Sequence, residues 1–124
     1  MNTTIKILIG LCFVLLSQYV AAQELEVYQI GISKGHATLL VAKNSRNQIV
    51  KSVLIDAGMK GDAQLIKDKI GEYANGRLDR VYITHYDIDH YGGMTGPNGI
   101  AAWANNSNRN FWVFDRGTRN EPRN

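Results

Sequence analysis

Four side chains that can bind metal ions occur within six residues of the sequence. His85, Asp87 and Asp89 are spaced two residues apart, and His90 follows directly. In an extended segment alternate side chains project to the same side, so the first three face one way and His90 faces another. Imidazole together with carboxylate suits zinc, iron or manganese, whereas calcium and magnesium prefer shells of oxygen atoms. The pattern predicts a metal site with two neighbouring metal positions.

A calcium-binding EF-hand loop and a polar surface loop are the alternatives to a metal site of this kind. In a calcium EF-hand, Asp87, Asp89 and Gly92 would fit the first, third and sixth loop positions, but Tyr91 fits the fifth poorly. Asn98 would stand at the last position, where a bidentate glutamate is needed, so the EF-hand is rejected. The segment could also be a polar loop that caps turns and faces water. Four potential ligands at the end of a predicted strand, followed by two glycines, favour the metal site.

Strands and helices that must position these residues are predicted from hydrophobic periodicity. Two strands, 37–43 and 48–56, pair as a hairpin around the polar turn 44–47. The pattern predicts strands over residues 24–32, 37–43, 48–56, 78–84 and 111–114.

An amphipathic helix is predicted over residues 63–74, with Asp62 as its N-cap and Asn75-Gly76 as its end, and residues 99–105 form a short helix. The metal-binding segment begins where strand 78–84 ends. Ligand sites in layered α/β proteins favour such positions, because a rigid sheet holds the loops there. The sequence therefore predicts an α/β fold.

Residues 1–22 have the three parts of a secretory signal peptide: a start with Lys6, the apolar run 7–16, and a polar break ending in small residues. A membrane anchor is the alternative, but the run is shorter than the roughly 20 residues that span a bilayer. We predict a secreted or periplasmic protein, residues 23–124, without stable membrane insertion after cleavage.

The only cysteine, Cys12, lies in the signal peptide, so residues 23–124 contain no thiol. The net charge of +3 is too small to indicate a polyanionic partner by itself.

The stretch His85 to Gly93, HYDIDHYGG, resembles the metal-binding signature of the metallo-β-lactamase fold, His-x-His-x-Asp-His-x-Gly-Gly, with Asp87 at the second histidine. This form is similar to the extracytoplasmic hydrolase domain of DNA-internalisation competence proteins. Residues 32–40, ISKGHATLL, resemble that branch's Val-Gly-Gln-Gly-Asp-Ala-x-Leu-Leu, with His36 in place of the aspartate. Residues 54–58, LIDAG, match its Leu-Ile-Asp-x-Gly. The resemblance covers about residues 24–115.

The resemblance implies an αββα sandwich, with two divalent metal ions, usually zinc and alternatively manganese, at one edge. It implies that His85 and Asp87 bind the first metal and that Asp89 and His90 bind the second. Asp89 would also act in catalysis by orienting the attacking water. Asp56 would brace the metal-binding loop, although an aspartate that shapes the turn before Gly58 fits that position equally well.

The chain departs from the family downstream of the signature. The family supplies further ligands, including histidines, from later in the chain, whereas no histidine follows His90 here. Asp115 and Glu121 are the remaining carboxylates, and Asp115 could be a ligand or a turn former. His36 is expected to be an ordinary polar loop residue beside the site. We therefore expect residues 23–124 to be a partial domain, the N-terminal half of the sandwich, which binds zinc weakly and self-associates through an exposed sheet face.

Two functions follow from these observations. The first is an exported metal-dependent hydrolase, in which a metal-bound hydroxide attacks an ester, and which is incomplete in this chain. The competence-protein branch points to nucleic acid or another phosphodiester as substrate. Four arginines near the C-terminus are compatible with phosphate contacts or with a solvated tail. The alternative is a non-catalytic truncated fragment or a metal-binding module without turnover. The four arginines near the C-terminus are Arg109, Arg116, Arg119 and Arg123.

Overall fold

The computed structural model describes residues 24–106 and 111–115, and the predicted signal peptide and the C-terminal arginine-rich tail lie outside these ranges. Five strands form a single sheet whose spatial order is the order of the chain. The first strand pairs antiparallel with the second and the second pairs antiparallel with the third, whereas the last two run parallel to the third. The strands are β1 (Glu24–Gln29), β2 (Thr38–Lys43), β3 (Ile49–Ile55), β4 (Arg80–Tyr82) and β5 (Trp112–Phe114).

Three helices connect the parallel strands. Helix α1 (Ala63–Ala74) joins β3 to β4, and helices α2 (Ile88–Tyr91) and α3 (Ile100–Asn106) lie between β4 and β5. Short 3₁₀ turns at Lys60–Asp62 and Gly92–Met94 precede α1 and follow α2. The predicted alternation of strands and helices is confirmed, although β1 and β4 are shorter than predicted.

The predicted β2–β3 hairpin is confirmed, and Asn44 organises its turn. The Asn44 N–H donates to the Gln48 carbonyl at 3.0 Å, and its side-chain oxygen accepts from the N–H groups of Arg46 and Gln48 at 3.0 Å. Asn47 takes a φ of 58°, a left-handed conformation that asparagine tolerates better than most residues. Asparagine at both ends of the turn therefore fixes the register in which β2 and β3 pair.

Helix α1 has the bounds that the sequence predicts, but its first turn is built differently. At its end, Asn75 adopts a φ of 50° and the Gly76 N–H donates to the Ile70 carbonyl at 3.0 Å. Asp62 stands at the N-cap position without a side-chain cap hydrogen bond. Its carboxylate instead accepts from the Met59 N–H at 2.9 Å and from the Ser33 hydroxyl at 3.1 Å. Asp62 is therefore the N-cap residue that the sequence predicts, but its side chain ties two loops together instead of bonding to the first turn of α1.

The hydrophobic core lies between one face of the sheet and the helices. Leu39, Leu54 and Val81 occupy equivalent positions on neighbouring strands and are fully buried. They share a core cluster with Ile66 and Ile70 of α1, at the helical spacing that directs both side chains to one face. The helices of the described residues therefore cover one face of the sheet, and none of them packs against the other face.

The opposite face of the sheet is apolar and open among the described residues. Its side chains alternate with the buried ones, as a pleated strand requires. Several are large and strongly exposed: Leu25 61%, Val27 62%, Tyr82 37%, Trp112 74% and Phe114 42%. The described residues thus form two layers, a sheet and the helices on one of its faces. No helix in residues 24–106 is long and apolar enough to cross a bilayer.

Candidate metal centre

The candidate site lies at the edge of the sheet where the parallel strands end. Asp56 directly follows β3, His85 comes shortly after β4, and Asp115 directly follows β5. Backbone hydrogen bonds extend the pairing past the strand ends, from the Asp56 N–H to the Tyr82 carbonyl and from the Ile83 N–H to the Phe114 carbonyl, each 2.8 Å long. Three consecutive strands therefore deliver polar side chains to one edge, as sequence position predicts.

The metal-binding segment is not extended throughout, and this part of the prediction is wrong. Asp87 is extended, with φ −80° and ψ 140°, but Ile88–Tyr91 form the single helical turn α2. The His90 N–H donates to the Asp87 carbonyl at 2.9 Å and closes that turn. Asp89 and His90 therefore project from a helical turn rather than alternating along a strand.

The four predicted ligands form two pairs in space. His85 Nε2 lies 3.2 Å from Asp87 Oδ2, and His90 Nε2 lies 4.0 Å from Asp89 Oδ1. Two donors bonded to one tetrahedral zinc ion at about 2.0–2.2 Å are about 3.4 Å apart. The first pair has this spacing and the second is somewhat wider. The donor types and pair distances fit the two metal positions implied by the resemblance.

A complete metal shell is not assembled by the residues that the structure describes. Among them, no three His, Cys, Asp or Glu side chains converge closely enough to hold a metal ion as they stand. The roles of His85, Asp87, Asp89 and His90 as ligands therefore stay predictions.

Asp56 is the hydrogen-bonding centre of the site. Its carboxylate is buried and accepts from the Thr84 N–H at 2.8 Å, the Thr84 hydroxyl at 2.7 Å and His90 Nδ1 at 2.8 Å. Burial by itself raises the pKa of Asp56, but the hydrogen bonds from Thr84 and His90 outweigh it and bring the pKa below its usual value. An ionised carboxylate only accepts hydrogen bonds, so His90 must carry its proton on Nδ1. Nε2 of His90 is then left with a lone pair, as a metal ligand requires.

Thr84 links the Asp56 carboxylate to the imidazole of His85 by hydrogen bonds. Because the Thr84 hydroxyl donates its proton to Asp56, its oxygen is an acceptor toward His85 Nδ1, 3.0 Å away. A proton on Nδ1 of the neutral His85 ring satisfies this contact, and Nε2 then faces Asp87 Oδ2 at 3.2 Å, two acceptors that a shared cation would bring together. The sequence interpretation did not identify Thr84, and its only signal is its position directly before the histidine.

The two glycines after His90 allow the metal-binding turn to lie against the loop that carries Asp56. A Cβ atom on Gly93 would overlap the Ala57 carbonyl, and one on Gly92 would lie 2.9 Å from the Lys60 nitrogen. Hydrogen bonds join the same backbones, from the Ala57 N–H to the His90 carbonyl at 2.6 Å and from the Gly93 N–H to Gly58 at 3.2 Å. This close approach is what sets the His90 ring against the Asp56 carboxylate.

The structure places His36 beside the predicted ligands. The His36 and His90 rings have centroids 5.2 Å apart, and those of His85 and His90 are 3.7 Å apart. Three imidazoles therefore meet at this edge. Asp115 is exposed at the same edge, after β5. A groove of about 540 Å³, lined by residues that include Lys43, lies at the far end of the sheet and contains none of these side chains.

One comparison with known proteins bears on the fold. Residues 50–96 match the family model described as the metallo-beta-lactamase superfamily. The matched segment runs from β3 through the metal-binding turn and contains Asp56, Thr84 and the four predicted ligands. No curated protein and no solved structure matches the chain.

The mixed α/β architecture, with its five-stranded sheet and its helices on one face, is consistent with a partial metallo-β-lactamase fold, and the predicted fold class is confirmed to that extent. The match to the model of this superfamily suggests a hydrolase-type function. The narrower resemblance to the competence-protein branch stays a prediction.

Proposed function

We propose that this chain is an exported metal-dependent hydrolase of the metallo-β-lactamase superfamily. The observation that carries the proposal is the hydrogen-bonded series His90–Asp56–Thr84–His85 at the sheet edge. In this series Nδ1 of each neutral imidazole can act as the donor, which would leave Nε2 as the nitrogen for a metal ion. A buried carboxylate that orients a histidine in this way is a recurrent support for metal ligands.

The ligands of the proposed centre divide between two positions. His85 and Asp87 hold one ion, and Asp89 and His90 hold the other, with zinc as the expected metal and manganese as the alternative. Bound ions of this kind lower the pKa of water and polarise the bond under attack. The Asp89 carboxylate, which is 23% exposed, has the access to solvent needed to orient a water molecule.

The substrate class in this proposal is an ester, with phosphodiesters, including nucleic acid, as the first group to test. Its support is the resemblance to the competence-protein branch and the position of the site at an open edge of the sheet. An open edge admits an extended or polymeric substrate more readily than a closed cavity does.

Export to the periplasm or the medium is part of the same proposal. It rests on the signal-peptide pattern of residues 1–22. N-terminal sequencing of exported protein should find a chain that begins near Gln23. Recovery of the protein with an intact Met1 in a membrane fraction would overturn this part of the proposal.

Metal analysis tests the centre directly. The purified chain should bind zinc in a stoichiometric amount by elemental analysis after equilibrium dialysis, and the double variant His85→Ala/His90→Ala should lose it. Asp68→Asn, which removes an exposed carboxylate of α1 away from the site, is the matched control and should keep the metal. Equal metal content in the double variant and the wild type would contradict the assignment.

A metal-binding module without turnover is the second candidate function. The observation in its favour is that no three potential ligands converge among the described residues, whereas catalytic zinc sites usually have three protein ligands and an open position. Assays of the zinc- or manganese-loaded chain on phosphodiester, lactone and β-lactam substrates distinguish the two. Metal-dependent turnover that the double variant lacks supports the hydrolase, and metal binding without turnover supports the module.

A further inference from the structure

His36 lies closer to the candidate centre than its place in the sequence indicates. It is 49 residues from His85, in the loop before β2, and is exposed to solvent. The centroid of its ring is 5.2 Å from that of His90, with the ring planes inclined at 42°. An exposed imidazole beside another one whose Nε2 is available has the position of a further metal ligand.

The loop that carries His36 is fastened to the metal-binding turn rather than free to move away from it. Gly35 has a φ of 85°, and a Cβ atom there would overlap the Asp89 carbonyl, so the two backbones are in contact. The Gly58 N–H donates to the His36 carbonyl at 3.0 Å, and Ser33 bonds to the Asp62 carboxylate. These contacts hold His36 at a set distance from Asp89 and His90.

The ring distances indicate which imidazoles could share an ion. Two imidazoles bound to one tetrahedral zinc through bonds of about 2.0–2.1 Å have ring centroids about 5 Å apart. The His36–His90 separation of 5.2 Å has this value, whereas the His85–His90 separation of 3.7 Å is too short for it. His90 is therefore better placed to share an ion with His36 than with His85.

We propose that His36 is the third protein ligand of the metal position formed by Asp89 and His90. Two imidazoles and one carboxylate around zinc, with a fourth position open to water, form a recurrent catalytic ligand set. Binding of the ion would draw the ring nitrogens and the Asp89 oxygen together, closing the 4.0 Å gap between His90 and Asp89. The inference rests on the proposed function, since it assigns a ligand to the same centre.

Zinc affinity measured without any activity assay tests this inference. The metal-free chain is titrated with Zn²⁺ in competition with a chromogenic chelator, and with Co²⁺, whose visible spectrum reports the ligands. His36→Ala should raise the Kd of one metal position by at least about tenfold. Loss of a residue that only orients a metal ligand already has an effect of this size, and loss of a ligand should have at least as large an effect. His36→Asp supplies a carboxylate instead and should restore part of the affinity. Lys34→Ala, on the same loop, is the matched control and should change neither readout.

The outcomes separate this inference from the proposed function. If His36→Ala keeps the wild-type Kd and Co²⁺ spectrum while His85→Ala/His90→Ala loses metal, His36 is not a ligand and the proposed centre stands. If the wild type and the double variant bind metal equally, both proposals fail. Thermal melts of the metal-free proteins check folding, and because the His36 ring is exposed, its variants should melt like the wild type. Should His36→Ala be unstable, His36→Asn decides the question in its place.

Discussion

At the scale of single residues, Asp56 determines the chemistry of the site. An ionised acceptor at this position draws a proton to Nδ1 of His90 and, through its hydrogen bond from the Thr84 hydroxyl, makes the Thr84 oxygen an acceptor toward His85. Its φ of 60° is a left-handed conformation, which is unusual for a residue other than glycine. The backbone there turns sharply, and the side chain reaches back to Thr84 and His90. The sequence left two roles open for Asp56, and in the structure it both shapes the turn and contacts the predicted ligand.

Replacement of Asp56 by asparagine should weaken metal binding without removing any ligand. The amide has the shape of the carboxylate but no charge, so it no longer requires a proton on Nδ1 of His90. We expect the Kd for zinc to rise about 10–100-fold, as for other residues that orient metal ligands. The chelator competition assay measures this change, with Asp68→Asn as the control. An unchanged Kd in Asp56→Asn would show that the carboxylate has no effect on the centre.

At the scale of elements, contact between α2 and the loop after β3 determines whether the site forms. The contact requires glycine at position 93, where a side chain would meet the Ala57 carbonyl. Gly93→Ala should destabilise the fold by about 1–3 kcal/mol, the usual result of inserting a methyl group into a packed contact. Gly71→Ala is the matched control: nothing lies within 4 Å of its added methyl group in α1, and it should stabilise the helix by about 0.5–1 kcal/mol. Urea denaturation measures both, and equal effects of the two substitutions would refute the argument.

A second element-scale feature is the carboxylate of Asp79, which joins the start of β4 to β3. It accepts from the Ser52 N–H at 2.7 Å and from Arg77 Nε at 2.8 Å. Burial raises the pKa of Asp79, but the hydrogen bonds from Arg77 and Ser52 outweigh this and lower it overall. A pKa lowered by folding stabilises the protein above the unfolded value of about 3.9. This contribution is lost as the pH falls through the lowered, folded value.

Asp79→Asn should therefore reduce the free energy of unfolding by about 1 kcal/mol at neutral pH. The difference from the wild type should begin to shrink as the pH falls below about 4, where Asp79 of the unfolded chain takes up a proton, and should disappear below the lowered pKa of the folded state, where the position is uncharged in both chains. Chemical denaturation at a series of pH values measures it. Glu72→Gln is the control: Glu72 also has a lowered pKa, from the hydrogen bond with Lys69, but that pair is exposed and should have no measurable effect. A difference that grows toward low pH would contradict the prediction.

At the scale of the whole molecule, the open face of the sheet is the dominant surface feature of the described residues. Leu25, Val27 and Trp112 are each more than half exposed on it. Apolar surface of this kind on a soluble protein usually marks an interaction site. We expect the purified chain to bury this face against a second copy, which is the self-association that the sequence predicts.

Light scattering coupled to size-exclusion chromatography tests this association. The apparent mass of the wild type should rise with concentration, and Leu25→Lys/Val27→Lys should shift the protein toward monomer. Gln64→Lys, which places the same charge on the exposed side of α1, should leave the oligomer unchanged. A wild type that stays monomeric at high concentration would contradict the prediction.

The sequence by itself determined the local elements and the chemical character of the site. Periodicity predicted α1 with its observed bounds and the β2–β3 hairpin, because each depends on residues close together in the chain. The donor types between His85 and His90 predicted a site for zinc-like ions, because ligand preference is a property of the side chains. The order of these elements also predicted the edge of the sheet at which the residues lie.

The tertiary structure decided which distant residues meet these side chains. The family resemblance placed Asp56 and His36 near the site, but it showed neither the hydrogen bond between Asp56 and His90 nor the 5.2 Å separation of the His36 and His90 rings. Nor does the sequence show that the Asp62 side chain bonds to Ser33 instead of to the first turn of α1. Helical turn α2 stands where the sequence predicted an extended segment, and the backbone that follows it lies against Ala57. Such contacts depend on how sheet, helix and loops pack together, and no local pattern of residues specifies that packing.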